Sequence, residues 1–283
     1  CLQATLWRGW RCDAMTQRSE GARLHRVSPL AARNRLDDGA HEPLARLGHL
    51  LAGKTRHVGP EEVAGEAETV ELGFKGRFFQ RTLSLNITLY QTRFDNLQVL
   101  AFNGTFFDVS NAATAYSRGL EADFVWLTPW APLQIAGAYG WLDARYEEYR
   151  DAPAPIQQGI DAEQDLTDQR IAFAPRATAT LTPTLSFPLG SLVLSAAVDV
   201  LYQGDQFVDT DLDPNTYVPA TTRYAGRLSL GSQSERWSVT LGGTNLTDER
   251  VLNQVTDTPF FPGTYQAQLA SGRQLFGALN LQF

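Results

Sequence analysis

"TVELGFKGRFFQRTLSLNITLY", residues 69–90, alternates apolar and polar side chains twice, with one short break between the two runs. Val70, Leu72, Phe74 and Phe78 face one way, and Glu71, Lys75 and Arg77 face the other. After Gln80-Arg81 the pattern resumes, with Leu83, Leu85, Ile87 and Leu89 set against Ser84, Asn86 and Thr88. A period of two marks a strand with two unlike faces, and a break this short reads as a hairpin turn.

The same period runs on to the C-terminus. It recurs in "GLEADFVW" (119–126), "LQIAGAYGW" (133–141), "RATATL" (176–181) and "LVLSAAVDVLY" (192–202). It returns in "RYAGRLSL" (223–230), "WSVTLGG" (237–243) and "QLFGALNLQF" (274–283). That makes about nine strands, most near the ~10 residues that cross a bilayer at a tilt. Short connections follow Phe79, Trp126, Phe187 and Gly231, whereas long ones span roughly 95–114, 146–169, 204–220 and 248–272. Tight turns at one end and large loops at the other are the layout of an outer-membrane barrel. Phe78, Phe79, Trp126, Trp130, Phe187 and Trp237 lie beside the tight turns and could form an interfacial aromatic girdle.

The expected fold is therefore all-β, an antiparallel transmembrane β-barrel that is partial at about nine strands, preceded by an irregular N-terminal segment. Alternation alone does not tell inside from outside, so a soluble or adhesin-like β-sheet protein stays open as the rival. Its strands would be shorter, about 5–6 residues, and its turns would not alternate in length so regularly.

Composition narrows the function classes. The chain has 283 residues and net charge −7, with 11% aromatic and 19% charged residues. No apolar run approaches the ~18 residues of a membrane helix. No basic patch points to nucleic acid as a partner.

Residues 1–62 stand apart and are expected to form a separate irregular segment, with the barrel part spanning 63–283. They hold all four histidines (His25, His41, His49, His57), both cysteines (Cys1, Cys12) and the lone Met15. Nine Arg and one Lys against seven acids leave them at +3, so the remainder carries −10. The histidine spacing gives neither an i, i+4 pair nor a finger pattern, so no metal site is expected. Leu44, Leu47 and Leu51 fall on one helical face, which predicts a short helix near Pro43–Leu51. A basic arm is one reading of the segment. Another is non-native, out-of-frame sequence, since it is Arg- and His-rich, aperiodic and ends abruptly.

Four motifs then carry a resemblance. "PEEVAGEAETVELGFKGRFFQRTLSLNITLYQTRFDNLQV" (60–99) contains Glu71, Gly73 and Lys75 in an E-x-G-x-K strand. "VSNAATAYSRGLEADF" (109–124) contains Asn111, Gly119 and Glu121, and "GGTNLTDERV" (242–251) contains Asn245, Leu246 and Asp248. "FGALNLQF" closes the chain. In this order they resemble the C-terminal part of the β-barrel of TonB-dependent receptors of Gram-negative outer membranes. The resemblance covers roughly residues 60–283. It implies a plugged barrel of about 22 strands that imports a scarce nutrient such as siderophore-iron or cobalamin, driven by the TonB complex. This chain has no room for the plug or the early strands, so contact with the TonB complex is expected only through the missing plug. A passive porin-like channel is the alternative.

The resemblance also implies a C-terminal signal for the barrel-assembly machinery in Leu275, Gly277, Leu279, Leu281 and Phe283. An aromatic last residue behind alternate apolar positions suits strand addition at an edge. Glu71, Lys75, Arg77, Glu121, Asp123, Arg176, Asp199, Arg223 and Arg227 would be costly against lipid and are expected to face the lumen. "DTDLDP" (209–214) imitates the start of a calcium loop, but Pro214 stands where Gly is needed and Ala220 where Glu is needed. No histidine follows His57 and no cysteine follows Cys12, so no catalytic triad can be built from the strands. No enzyme activity, cofactor or metal is expected. The partners expected are outer-membrane lipid, the assembly machinery and a small nutrient. Asn245-Leu246-Thr247 has the form of a glycosylation triplet, but in a bacterial barrel it reads as the exit of the penultimate strand.

Overall fold

The structure, a computed structural model, describes residues 45–56, 65–102, 107–159 and 161–282, with the backbone alone for 45–56, 101–102 and 107–113. Ten strands form one sheet. They are β1 (Ala45–Arg56), β2 (Glu66–Phe78), β3 (Leu83–Phe102), β4 (Phe107–Leu127), β5 (Leu133–Glu148), β8 (Ala177–Leu189), β9 (Leu192–Gln203), β12 (Thr221–Ser232), β13 (Trp237–Thr244) and β16 (Gln274–Leu281), in that spatial order. Three small hairpins fill the long loops: β6 (Ala152–Pro153) with β7 (Glu163–Gln164), β10 (Gln206–Phe207) with β11 (Tyr217–Val218), and β14 (Leu252–Asp257) with β15 (Tyr265–Leu269). Every neighbouring pair in the large sheet is antiparallel.

All nine expected strands are present, and β1 adds a tenth. The helix expected near Pro43–Leu51 is a strand instead, paired with β2 from Ala45↔Gly76 to Arg56↔Glu66. An isolated helix shorter than ~12 residues is marginal, whereas the open edge of β2 offers a full row of hydrogen-bonding groups. The sheet thus takes up part of the segment set apart by composition. The boundary expected at 62/63 falls outside the described residues.

The long loop expected at 95–114 is also corrected. β3 runs to Phe102 and β4 starts at Phe107, with unbroken pairing from Leu97↔Ala112 to Phe102↔Phe107. The polar run around Asp95 and Asn96 was read as a loop, yet two long neighbours can continue a ladder beyond the membrane, where water tolerates polar side chains on both faces. The other long connections hold, between β5 and β8, β9 and β12, and β13 and β16.

Directly opposed residues share a face, so register fixes the two surfaces. Leu72↔Leu89↔Leu120↔Trp141 make one row of the apolar face, and Phe74↔Ile87↔Ala122↔Tyr139 make another. Leu72, Leu228 and Leu241 are 51%, 50% and 62% exposed, as a lipid-facing surface requires. Pro183 sits inside β8, opposite Ile135. Proline has no N–H to give, and the pairing of β8 with β9 lapses between Leu181↔Val200 and Thr184↔Ala197. The Thr182 hydroxyl bridges the gap by donating to the Asp199 carboxylate at 2.7 Å.

Candidate functional site

The polar face of the sheet is a wet, hydrogen-bonded wall. Asn86 donates to Asp123 at 2.8 Å, Arg227 donates to Asp199 at 2.9 Å, and Thr240 donates to Ser229 at 3.0 Å. Register puts Glu71, Lys75, Arg77, Glu121, Asp123, Asp199, Arg223 and Arg227 on this one face, and Arg176 immediately precedes β8. Of these, Asp199 and Arg227 form an ion pair. Nothing about them forms an acid/base pair. They make a surface that water or a polar domain can cover.

On the outward face the chemistry changes at one level. Above the row of Leu120 and Trp141 come Arg118, Asp143 and Arg145, where Asp143 accepts from Arg118 and Arg145 at 2.8 Å each. Arg93 pairs with Glu147 at 3.2 Å, and the Arg118 guanidinium lies over the Tyr116 ring at 5.2 Å. Charges this dense are unfavourable against hydrocarbon. The apolar belt therefore ends here, and β3–β5 continue beyond it.

At this end the long loops fold back over the polar face. Tyr149, Ala152 and Leu166 from the β5–β8 loop pack with Ala115 and Tyr146, which oppose each other on the face that carries Glu121. Leu212 of the β9–β12 loop joins this cluster. A second apolar cluster of Val208, Val218, Val251 and Val255 ties the β9–β12 loop to the β13–β16 loop. Arg170 locks the β5–β8 loop to the β9–β12 loop by donating to the Asp205 carboxylate at 2.6 Å and to its carbonyl at 2.7 Å. That contact holds the Asp205 carboxyl below the usual carboxylate range.

Between the clusters lies a cage of carboxyl and amide groups. The Gln157 amide donates to Asp213 at 3.1 Å, to Asp257 at 3.2 Å and to the Tyr265 hydroxyl at 2.5 Å. Tyr265 donates to Asp213 at 2.8 Å, and the Asn215 amide donates to both. Asp211, Asp213 and Asp257 are buried. Burial, then the charge of Asp211, pushes Asp209 up to about 7, while burial pushes Asp211 up to about 6. Asp257 also moves upward, chiefly through burial. Asp213 caps the Pro214–Thr216 turn by accepting from the Asn215 N–H at 2.8 Å. Among the described residues no group of His, Cys, Asp or Glu is arranged to hold a metal ion.

A family model, TonB dependent receptor-like β-barrel, matches residues 64–246. The chain belongs to the TonB-dependent receptor family. Solved structures with the same sheet include the ferric yersiniabactin uptake receptor FyuA from Yersinia pestis, at 18% identity and a TM-score of 0.59, covering 81% of this chain and 33% of that one. The siderophore receptor PiuA from Acinetobacter baumannii matches at 20% identity and a TM-score of 0.54, covering 76% and 28%. The ferric-catecholate import receptor Fiu from Escherichia coli K12 matches at 18% identity and a TM-score of 0.55, covering 78% and 28%. The chain thus spans about a third of the length of these receptors. A TonB-dependent receptor barrel is an outer-membrane transport protein of Gram-negative bacteria and not an enzyme. Membership in this family overturns the soluble and adhesin-like reading of the sheet.

The receptor motifs have identifiable places in this sheet. Gly119 opposes Tyr90 across β3 and β4, and Glu121 lies two residues along on the same face. Gly73 opposes Thr88 with open space where a Cβ would stand. Asn111 opposes Gln98 in the long β3–β4 hairpin. Leu275, Gly277, Leu279 and Leu281 of β16 oppose Gly243, Leu241, Val239 and Trp237 on the apolar face. Phe283 lies outside the described residues.

Asn245 is buried and serves as a lock. Its amide donates to the carbonyls of Glu249 at 2.9 Å and Ser271 at 3.1 Å, and its oxygen accepts from the Glu249 N–H at 2.9 Å. Asp248 accepts from the Arg273 N–H at 2.8 Å. The two residues hold the exit of β13 beside the start of β16. Leu275 and Leu246 together leave no room at Gly243, where a Cβ would lie 2.7 Å from the first and 2.8 Å from the second. Sequence reasoning missed Gln157, Asn215 and Tyr265, because no local pattern links residues 50 to 108 positions apart.

Proposed function

We propose that this chain supplies part of the wall and outer mouth of an importer for a scarce nutrient, an iron–siderophore complex, cobalamin or a similar chelate. The observation that carries the reading is the inward fold of the long loops. A wall with an apolar outer face and a polar inner face would suit any channel. Loops packed on the inner face through Ala115 and Tyr146 suit a gated mouth that admits one ligand at a time. The siderophore receptors among its structural neighbours support the same reading.

In the full receptor the polar face would meet a plug domain, through which the TonB complex supplies energy. Leu275, Gly277, Leu279, Leu281 and Phe283 would serve as the signal for the barrel-assembly machinery, since the outer edge of β16 carries no strand among the described residues. Uptake of labelled ferric siderophores and cobalamin should be measured in a strain lacking this gene, with and without a working TonB complex. Loss of uptake of one such ligand, restored by the gene only when the TonB complex works, is the expected result. Unchanged uptake of all of them, with altered passive permeability to small solutes, would support the porin-like alternative instead.

A further inference from the structure

The three long loops meet at one polar junction. Gln157 comes from the β5–β8 loop, Asp209, Asp211, Asp213 and Asn215 from the β9–β12 loop, and Asp257 and Tyr265 from the β13–β16 loop. Further cross-loop bonds surround it. The Ile156 N–H reaches the Asp257 carboxylate at 3.4 Å, and the Gln164 amide donates to the Asp211 carbonyl at 2.6 Å. The Val255 N–H donates to the Val208 carbonyl at 3.2 Å. None of the ion pairs among the described residues includes a cage carboxylate.

We propose that this junction is a proton-dependent latch, which holds the three outer loops together over the polar face while Asp209, Asp211 and Asp257 carry protons and releases them as these groups ionise. Four carboxyl groups converge where only amide, hydroxyl and backbone donors reach them. Among the described residues the Asp209 carboxylate accepts only from the neighbouring Thr210 N–H, and, after burial, the charges of Asp211, Asp257 and Asp213 push it upward; those of Asp257 and Asp213 do the same to Asp211, and that of Asp213 to Asp257. Tyr265 faces Asp213 and Asp257. Arg170, the basic group tied to the same loop, is engaged by Asp205. A buried carboxylate without a cation is costly, and several together repel one another.

The direction of the effect follows from the raised values. With Asp209 near 7 and Asp211 near 6 in the closed junction, and ordinary carboxyls near 3.8 once released, the closed form binds more protons between these limits. Closure is therefore strongest at and below about pH 4, weakens as pH rises through 4 to 7, and is constant above.

Hydrogen exchange of the protein in detergent micelles tests the latch at pH 5 and pH 8, each rate being divided by its intrinsic value at that pH. Protection of segments 149–176, 204–220 and 245–273 should fall about tenfold or more from pH 5 to pH 8, while β9 stays constant. Joint substitution Asp209→Asn and Asp211→Asn should keep the loops protected at pH 8. Equal loop protection of the unsubstituted protein at both pH values overturns the proposal. So does loop exposure at both pH values in the Asn variant with β9 still protected, because the carboxylates would then be holding the loops as anions. If the Asn variant loses β9 protection, the unsubstituted protein decides alone.

Discussion

Tyr90 lies directly across from Gly119, and its ring covers the space a Cβ there would need. A methyl group on Gly119 would stand 2.7 Å from the Tyr90 hydroxyl oxygen and would collide with the Trp141 carbonyl oxygen. The glycine of the receptor G-x-E motif is thus a matter of space on a crowded face. Phe124 over Gly137 repeats the device, with a Cβ there 2.6 Å from the ring. Gly119→Ala should destabilise the barrel by about 1–3 kcal/mol through overpacking. Tyr90→Phe in the same background should not rescue it, because the Trp141 carbonyl is backbone. Urea midpoints read by heat-modifiable gel migration would check both.

Asn245 and Thr247 give opposite expectations from one triplet. Removing the Asn245 amide leaves the Glu249 N–H and two carbonyls without their partner, so Asn245→Ala should cost about 1–3 kcal/mol. Its backbone φ of 48° adds to the preference for Asn. Thr247 is exposed, and Thr247→Ala should leave stability and mobility unchanged. Proteolysis of the β13–β16 loop would measure the first effect, and a glycan-dependent mass change at Thr247→Ala would contradict the second.

The two faces should respond differently to charge. Leu241→Arg places a cation on the apolar surface and should cost about 2–4 kcal/mol if its level is near the bilayer midplane. Thr240→Arg, one residue away on the polar face, should cost clearly less, mainly the hydrogen bond to Ser229. Unfolding titrations in one lipid composition compare them.

Asp143 sits between Arg118 and Arg145 above the belt. Arg118 is 54% exposed and Arg145 34%, so water screens the pairs although Asp143 itself is only 16% exposed, and Asp143→Asn should cost about 1 kcal/mol, with a loss that shrinks in high salt. A large, salt-independent loss would mean that this level lies within the hydrocarbon.

The strands were legible because lipid on one side and water on the other impose a period of two on every crossing. β1 was not legible, since its place comes from the free edge of β2 and not from its own alternation. The alternation legible in β8 stops at Leu181, although its tight turn is legible after Phe187, because Pro183 interrupts the run. The structure keeps it by opening two positions of the ladder to β9. The acidic loop at 204–220 was legible only as a long connection with a failed calcium-loop pattern. Its burial depends on Gln157 and Tyr265, which arrive from loops far along the chain. Motif positions were legible as landmarks. Their physical reasons, the ring over Gly119 and the amide lock at Asn245, needed the neighbouring strand and the returning loop.

The central claim is that one face of this sheet meets lipid and the other meets water. Its most direct test uses single cysteines at residues 84 to 89 of β3, with Cys1 and Cys12 changed to Ser, spin-labelled in outer membranes. Collision with oxygen should peak at positions 85, 87 and 89, and collision with a water-soluble nickel complex should peak at 84, 86 and 88. Equal access of the nickel complex to both sets would contradict the account.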